Sequence, residues 1–589
     1  MKNKFFLFPI PLLYFLICCN IAFCQTITPG RYDIVISEIM ADPTPTVGLP
    51  AAEYVELHSR LPAPCRIEGW KLKIGNTLKT LPAMDFDSAG YAILIASKFL
   101  EDFSDYSTHV YTLSSLSLTD GGQTLILYNA DNQVIHSVSY RQKWHLEPIK
   151  QEGGWSLEML DESLPCWGEE NWNSSTSPLG GTPGLPNAAR TTLADNESPD
   201  IERITMLDSI TLRLFFTEPV SLMDENNIPF TINLSPPSPL LPPSPPSPTL
   251  PIITSVSEVP HSFSALDLKL SSPLIEGQIY TIRLTGDLSD CSGNRMQTGS
   301  SIECGCPGAP EQGDIVINEV LSHPFAGTDA DFIELFNKSS KIIDLKDIKI
   351  GSGGDTIPQK AVWASSGGMQ LLPNRYCALC KNRKLTLQQY FCPEPLNLLL
   401  CDSMPAYNNA EGVVFLTDKS LQTIDRMHYT EDMHYPKLQT TEGVSLERLS
   451  PTLPTQNPDN WHSAAATVGF ATPGYANSHV LSNLEQTETI ISPDVISPNN
   501  DGFEDFAEIT LRFPDSDNRV TINIYNARGQ LVKHLVNNVL CGNEARFRWE
   551  GLDDHNQLLP SGMYVVIIQY WDLSGQSGRI RKVISISGW

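Results

Sequence analysis

A chain of 589 residues is too long for one hydrophobic core and, at roughly 100–200 residues per domain, divides into several. Hydrophobic residues make up 41%, so cores can form along most of its length. A formal net charge of −27 argues against binding nucleic acid, which relies on Lys and Arg to neutralise phosphates, and reads first as solubility.

The chain opens "MKNKFFLFPIPLLYFLICCNIAFC". Lys2 and Lys4 precede an apolar run over 5–17, and Ala22 and Cys24 put small residues at −3 and −1 before Gln25. This pattern predicts an export signal over 1–24, cut between Cys24 and Gln25. Cys24 could instead accept a lipid, although Phe23 suits that poorly. No later run reaches the roughly 18 apolar residues that span a bilayer.

The next segment, 32–187, starts "DIVISEIMADP…EYVELHS", and "DIVINEVLSHP…DFIELFN" repeats it from Asp314 within 313–478. Glu38 matches Glu319, and Glu56 matches Glu334. Later come paired SLE, NW and TPG elements, at Ser156 and Ser445, Trp172 and Trp461, Gly184 and Gly474. An offset near 280 residues marks a duplicated domain, since solenoid repeats run to roughly 20–50 residues. Short alternating runs such as "YAILIAS", "TLILYN" and "VVFLTD", set between turn residues, predict a β-sandwich in each copy. Trp172 and Trp461 are expected under the closing strand as apolar anchors. In each TPG, Pro sets the first turn angle and Gly184 or Gly474 permits a positive φ. These motifs together resemble the bacterial lamin-tail domain, which implies an immunoglobulin-like sandwich for both copies. The first copy departs from the pattern: Met159 stands where the second has Arg448, and Asn173 where it has His462. If those positions touch a ligand, the first copy is the impaired one.

Between the copies, 193–306 carries the strands "ITLRLFF", "ALDLKLS" and "IYTIRLTG". With its "FTEPV" and "DCSGN" it resembles a bacterial Ig-like domain of surface-layer and adhesin type. The insert 235–251, "SPPSPLLPPSPPSPTLP", predicts an exposed polyproline-like loop. The last segment, 491–589, has "VTINIYN", "ARFRWEG" and "MYVVIIQYWD" as strands. Its "NARGQLV…WEG…LPSGMY" is similar to the Ig-like domain of the flagellar hook-capping protein. It also resembles the C-terminal domains of proteins that leave Bacteroidetes by type IX secretion, and that resemblance implies contact with the export machinery. The opening "SPNNDG" is shared with the gliding-motility class of those domains.

Three clusters invite metal chemistry. Asn499, Asp501, Glu504 and Asp505 beside Gly502 offer hard oxygen ligands for calcium, without the full EF-hand spacing; a polar strand-entry turn is the competing reading. Cys377, Cys380, Cys392 and Cys401 follow a C-x2-C-x11-C-x8-C spacing that fits no familiar zinc module, and His428, Asp432 and His434 could hold a transition metal. In an exported chain cysteines default to disulfides, with Cys291 able to staple its own domain through Cys304 or Cys306.

No nucleophile elbow, H-E-x-x-H, P-loop or Cys–His setting appears, so no catalytic residues and no bound cofactor other than calcium are expected. The sequence therefore reads as an all-β chain of tandem Ig-like sandwiches, exported to the outer surface or the medium, with the periplasm as runner-up. Such a chain would act without catalysis in adhesion, scaffolding or spacing, meeting a protein or glycan through its loops. The alternatives are an extracellular nucleic-acid-binding or nuclease-associated role, implied by the lamin-tail resemblance, and a cryptic hydrolase.

Overall fold

The computed structural model describes residues 28–222, 228–235, 250–259, 262–354, 356–401, 403–479 and 484–587. The export signal with Cys24 and Gln25, and most of the proline-rich insert, lie outside the described residues. The chain forms two compact units, Met1–Glu197 with Cys291–Asn294, and Ser198–Asp290 with Arg295–Trp589. The structure is almost all β, consistent with tandem sandwiches.

Each repeat is a six-stranded sheet facing a four-stranded one. In the first repeat the larger sheet runs Trp172–Ser174, Leu157–Met159, Ile34–Met40, Tyr54–Ser59, Tyr91–Ala96, Val110–Leu113. In the second it runs Trp461–Ser463, Leu446–Arg448, Ile315–Leu321, Phe332–Asn337, Tyr376–Cys380, Leu398–Leu400, which is the same order. The two central strands of each are buried at every residue, hence on both faces. That explains why "IVISEIM" and "IVINEVL" read as near-continuous apolar runs.

One face of the second repeat's larger sheet joins Ile315, Ile317, Ile333 and Leu335 to Ile348, Val414 and Leu416 of the smaller sheet. The opposite face gathers Leu321, Phe332, Ala378, Cys380 and Tyr390. A β-bulge between Ile317 and Glu319, matched by one between Ile36 and Glu38, switches the inward set midway along the first strand. The bulge turns Glu38 and Glu319 away from the smaller sheet, onto the face that the closing loop covers.

The segment between the repeats forms a four-stranded sheet (Ile201–Asp208, Thr211–Phe216, Ser262–Leu270, Ile253–Val259) over a three-stranded one (Phe230–Leu234, Ile279–Leu284, Ser301–Gly305). It is tied to the second repeat by the Gln370 amide, which donates to the Gly305 carbonyl (3.0 Å) and accepts from its N–H (2.9 Å). The C-terminal segment pairs Glu488–Ser492, Ala507–Arg512 and Glu544–Trp549 against five strands centred on Gly562–Trp571.

Cys291 does not staple its own domain. It is bonded to Cys166, 125 residues away in sequence, inside the first unit. Cys304 is instead fully buried in the middle domain's core, where burial pushes its thiol up to about 12.

Candidate functional site

The densest polar constellation lies on the bulge-switched face of each repeat. Three glutamates stand side by side on neighbouring strands: Glu38 opposite both Glu56 and Glu158, and Glu319 opposite both Glu334 and Glu447. All six are fully buried. Like charges directly opposite across a ladder repel, and a carboxylate away from water is costly unless hydrogen-bonded.

Donors from the closing loop answer them. In the first repeat Glu38 accepts from the Ser156 hydroxyl (2.6 Å), the Tyr54 hydroxyl (2.6 Å) and the Thr182 N–H (2.8 Å). Glu56 accepts from the Gly184 N–H (2.6 Å) and the Ser37 hydroxyl (2.8 Å). Glu158 accepts from the Thr182 hydroxyl (2.8 Å) and the Ala189 N–H (2.6 Å). In the second repeat Thr472 donates its N–H (2.9 Å) and hydroxyl (3.1 Å) to Glu319, and its hydroxyl lies 2.8 Å from Glu447. The Gly474 N–H donates to Glu334 (2.6 Å). The matched Glu38/Glu319 and Glu56/Glu334, the SLE glutamates and the TPG turns are thus one device: three carboxylates that hold down the loop completing the sandwich.

Each TPG is a tight turn closed by Leu185 N–H to Thr182 (3.0 Å) or Tyr475 N–H to Thr472 (3.3 Å), with Gly184 at φ 80° and Gly474 at φ 85°. The asparagine three residues on pins the turn to the sheet. The Asn187 amide donates to the carbonyls of Ser37 (3.0 Å) and Met159 (2.8 Å), and that of Asn477 to Arg448 (2.7 Å).

Burial, then the neighbouring Glu158, raises Glu38 to about 7; burial, then Glu447, raises Glu319 to about 8. Burial, then the adjacent glutamate, likewise raises Glu56 and Glu334 well above the ordinary carboxyl range. In each trio, burial and like-charge neighbours thus disfavour the ionised form of two of the carboxyls.

Trp172 and Trp461 are both buried. Trp172 stacks on Trp144, with ring centroids 6.1 Å apart, and Trp461 lies beneath the Arg448 guanidinium at 4.9 Å. Arg448 itself is buried, donating to the Ile317 carbonyl (2.7 Å) and pairing with Asp425 (3.3 Å). At the corresponding place in the first repeat Met159 is fully buried.

The structure places the three candidate metal clusters as follows. Asp505 accepts the N–H groups of Asn499, Asn500 and Gly502, and Asp501 accepts that of Phe503, so both shape the turn entering the last domain. Cys377 packs in the inter-sheet core with Cys401, while Cys380 and Cys392 belong to the opposite face. His428 reaches across its hairpin to Glu411 (2.9 Å), whereas buried His434 bonds the Ser463 hydroxyl (2.9 Å). His145 bonds Ser174 in the same way (2.9 Å), a structural role common to both repeats.

The architecture is that of a modular β-sandwich protein whose polar clusters brace its own loops. A family model described as Lamin Tail Domain matches residues 28–142, and one described as CHU_C Type IX secretion signal domain matches 490–585. The chain thus carries a lamin-tail domain at one end and a type IX secretion signal domain at the other. It is an exported protein of the cell surface or extracellular space, and among the described residues no helix is long and apolar enough to cross a membrane.

No curated protein matches the sequence. Among solved structures, the N-terminal part of the bacterial S-layer protein SbsC is similar at 17% identity and a TM-score of 0.17, with 40% of this chain and 44% of that one covered. A Ca2+-stabilized, ice-binding adhesin of an Antarctic bacterium is similar at 9% identity and a TM-score of 0.12, over 95% and 100% of the two chains. Latent PorU from Porphyromonas gingivalis is similar at 10% and 0.14, over 79% and 40%. The chain spans about half the length of the S-layer structures it matches.

Proposed function

We propose that this exported protein works without catalysis, as a scaffold or spacer whose sandwich loops meet a protein or glycan at the cell surface. The observation that carries the reading is the state of the two glutamate trios. Paired carboxylates are the usual machinery of acid–base hydrolysis, yet these six are shut away from solvent and bonded to the chain's own closing loops. On this reading the second repeat is a second lamin-tail domain. Its support is the shared sheet order, the shared bulge and the same three-glutamate clasp. The C-terminal domain would engage the export machinery.

The test expresses the full chain in its own cells and in a strain lacking residues 491–589. Protease shaving of intact cells should degrade the full-length protein and find none of the truncated one outside. Purified protein is then screened against glycan and surface-protein arrays, against DNA at low salt, and for hydrolysis of peptide, phosphoester and polysaccharide substrates. Array binding without turnover is expected. Submicromolar DNA binding or a saturable hydrolysis rate would replace this reading.

A further inference from the structure

The larger sheet of the C-terminal domain runs Val495–Ile496, Ser577–Ile586, Gly562–Trp571, Asn518–Asn526, Leu531–Cys541. Within the same compact unit, the second repeat packs against the Asn518 side. His462 bonds Asp517 (2.7 Å), and the His479 ring lies 5.8 Å from that of His462. Arg519 lies over the Tyr435 ring at 5.2 Å, and the Asn543 N–H donates to the Ser478 carbonyl (3.1 Å). The other side of the sheet is open. Val495–Ile496 pairs only with Ser585 and Ile586, so 577–583 has a ladder neighbour on one side alone among the described residues.

Successive residues of a strand point their N–H and C=O groups alternately to either side. The Ser585 N–H points away from Gly562–Trp571, to the Asp494 carbonyl (2.9 Å), so those of Arg579, Arg581 and Val583 face the open side. The side chains of these three residues and of Lys582 are exposed. Ile522, Val566, Ile568 and Ile584 turn into the core, which leaves Val565, Ile567 and Gln569, then Tyr525, Asn523 and Thr521, on the outer face beside the edge. These three strands put no carboxylate on that face. Among the described residues Arg579, Arg581 and Lys582 form no ion pair, whereas Arg512, Arg546 and Arg548 of the smaller sheet each pair with a glutamate. In a chain of net charge −27 this is an exceptional strand edge. Like charges opposite one another destabilise a ladder, so the edge repels a second copy of itself. The same charges favour a strand with acidic side chains.

We propose that this edge binds an extended, Asp/Glu-rich segment of a partner protein, which adds to the sheet as a further strand. Main-chain hydrogen bonds to the N–H and C=O groups of Arg579, Arg581 and Val583 supply affinity, as in other cases of strand addition. Carboxylates meeting Arg579, Arg581 and Lys582 select the partner through charge-assisted hydrogen bonds. This edge is separate from the sandwich loops proposed to meet a protein or glycan.

The full chain is titrated, by fluorescence anisotropy, with a labelled peptide of alternating Val and Glu, about eight residues long to match a typical strand. The controls are alternating Val and Lys, poly-glutamate of equal charge, and the Val-Glu peptide N-methylated at alternate residues so that it cannot complete the ladder. Micromolar binding of the Val-Glu peptide is expected. It should weaken by about tenfold or more with each control, and in the double variant Arg579→Gln with Arg581→Gln. Both arginines are exposed, so the double variant should keep the parent's melting temperature. With peptide bound, amide exchange should slow at 579, 581 and 583 and stay unchanged at 521–525. Equal binding of poly-glutamate or of the N-methylated peptide would reduce the contact to charge alone and overturn the assignment. Absence of binding, unprotected amides at 579–583, or unchanged affinity in the double variant would overturn it as well.

Discussion

In the first repeat the N–H of Ile36, beside the bulge, donates to the ring of His136 (3.0 Å), whose Nε2 bonds the Pro165 carbonyl (3.1 Å). In the second repeat the matching N–H of Ile317 donates to the Asp425 carboxylate (2.8 Å), and Arg448 neutralises that charge. Met159 fills the arginine's place in the first copy. The duplicated fold thus meets one backbone requirement in two ways, with a neutral His–Met pair and with a buried ion pair. The copies differ at both positions together, as expected where a lone Asp or a lone Arg would be buried without its counter-ion. A second difference concerns the glutamates. Glu38 has the Tyr54 hydroxyl as a donor, whereas Phe332 stands at the matching place beside Glu319, where the Thr472 hydroxyl (3.1 Å) donates instead.

The largest effect is expected from splitting the ion pair. Arg448→Met should cost about 3–5 kcal/mol, since it strands Asp425, while the double variant Arg448→Met with Asp425→His should recover most of that by copying the first repeat. Urea unfolding followed at Trp461 reads both. A double variant as unstable as the single one would show that the two solutions are not interchangeable.

Reduction separates the repeats differently, because the first unit contains the Cys166–Cys291 bond and the free thiols of the second repeat are largely buried. Loss of that bond should cost about 2–5 kcal/mol. Amide exchange should rise in 28–197 with 291–294 and stay flat in 313–478. A uniform rise across both repeats would contradict that division.

The clasps come next. Glu319→Ala leaves Ser445 and Thr472 unanswered and should cost about 1–3 kcal/mol; Glu38→Ala strands Tyr54 as well and should sit at the upper end. Glu334→Gln should cost less than either alanine variant, because burial and the neighbouring Glu319 already push the parent carboxyl toward its neutral form. Thermal melts of the three variants decide the order.

The smallest effect is a pH slope. Glutamates raised in the folded state lend stability that is full below their ordinary value and is lost as pH climbs through about 7 for Glu38 and about 8 for Glu319. Burial lowers His58, His136, His145 and His434 to about 4, so they act oppositely: their contribution is present above the ordinary histidine value and fades as pH falls toward 4. Melting temperature should therefore be highest near pH 6 and decline above 7. Exchange at Thr182 and Thr472 reads the loss in each repeat separately. A flat profile between 6 and 9 would mean the trios are ionised.

The fold class and the repeat were legible because alternation, turn residues and motif spacing are local, and a sequence matched against itself exposes a repeat. Glu38, Glu56, Glu319 and Glu334 were visible as matched positions, but their burial was not. A glutamate in a strand reads as solvent-facing, and the bulge that turns the first of each trio inward has no residue signature. The recurrence of E, SLE and TPG-x-x-N as a set in both copies was the one available signal. The cysteine pairing was hidden for another reason: Cys166 and Cys291 lie in different sequence domains, and spacing favoured the nearer partners, Cys304 and Cys306. Sequence by itself determined which strands form and that the domain is duplicated, since those depend on neighbours within a few residues. The tertiary structure alone decided which carboxylates are buried side by side, which residue replaces an ion pair, and where two histidines meet, because each depends on groups about 15 to 160 positions apart brought within hydrogen-bond or ring-contact reach.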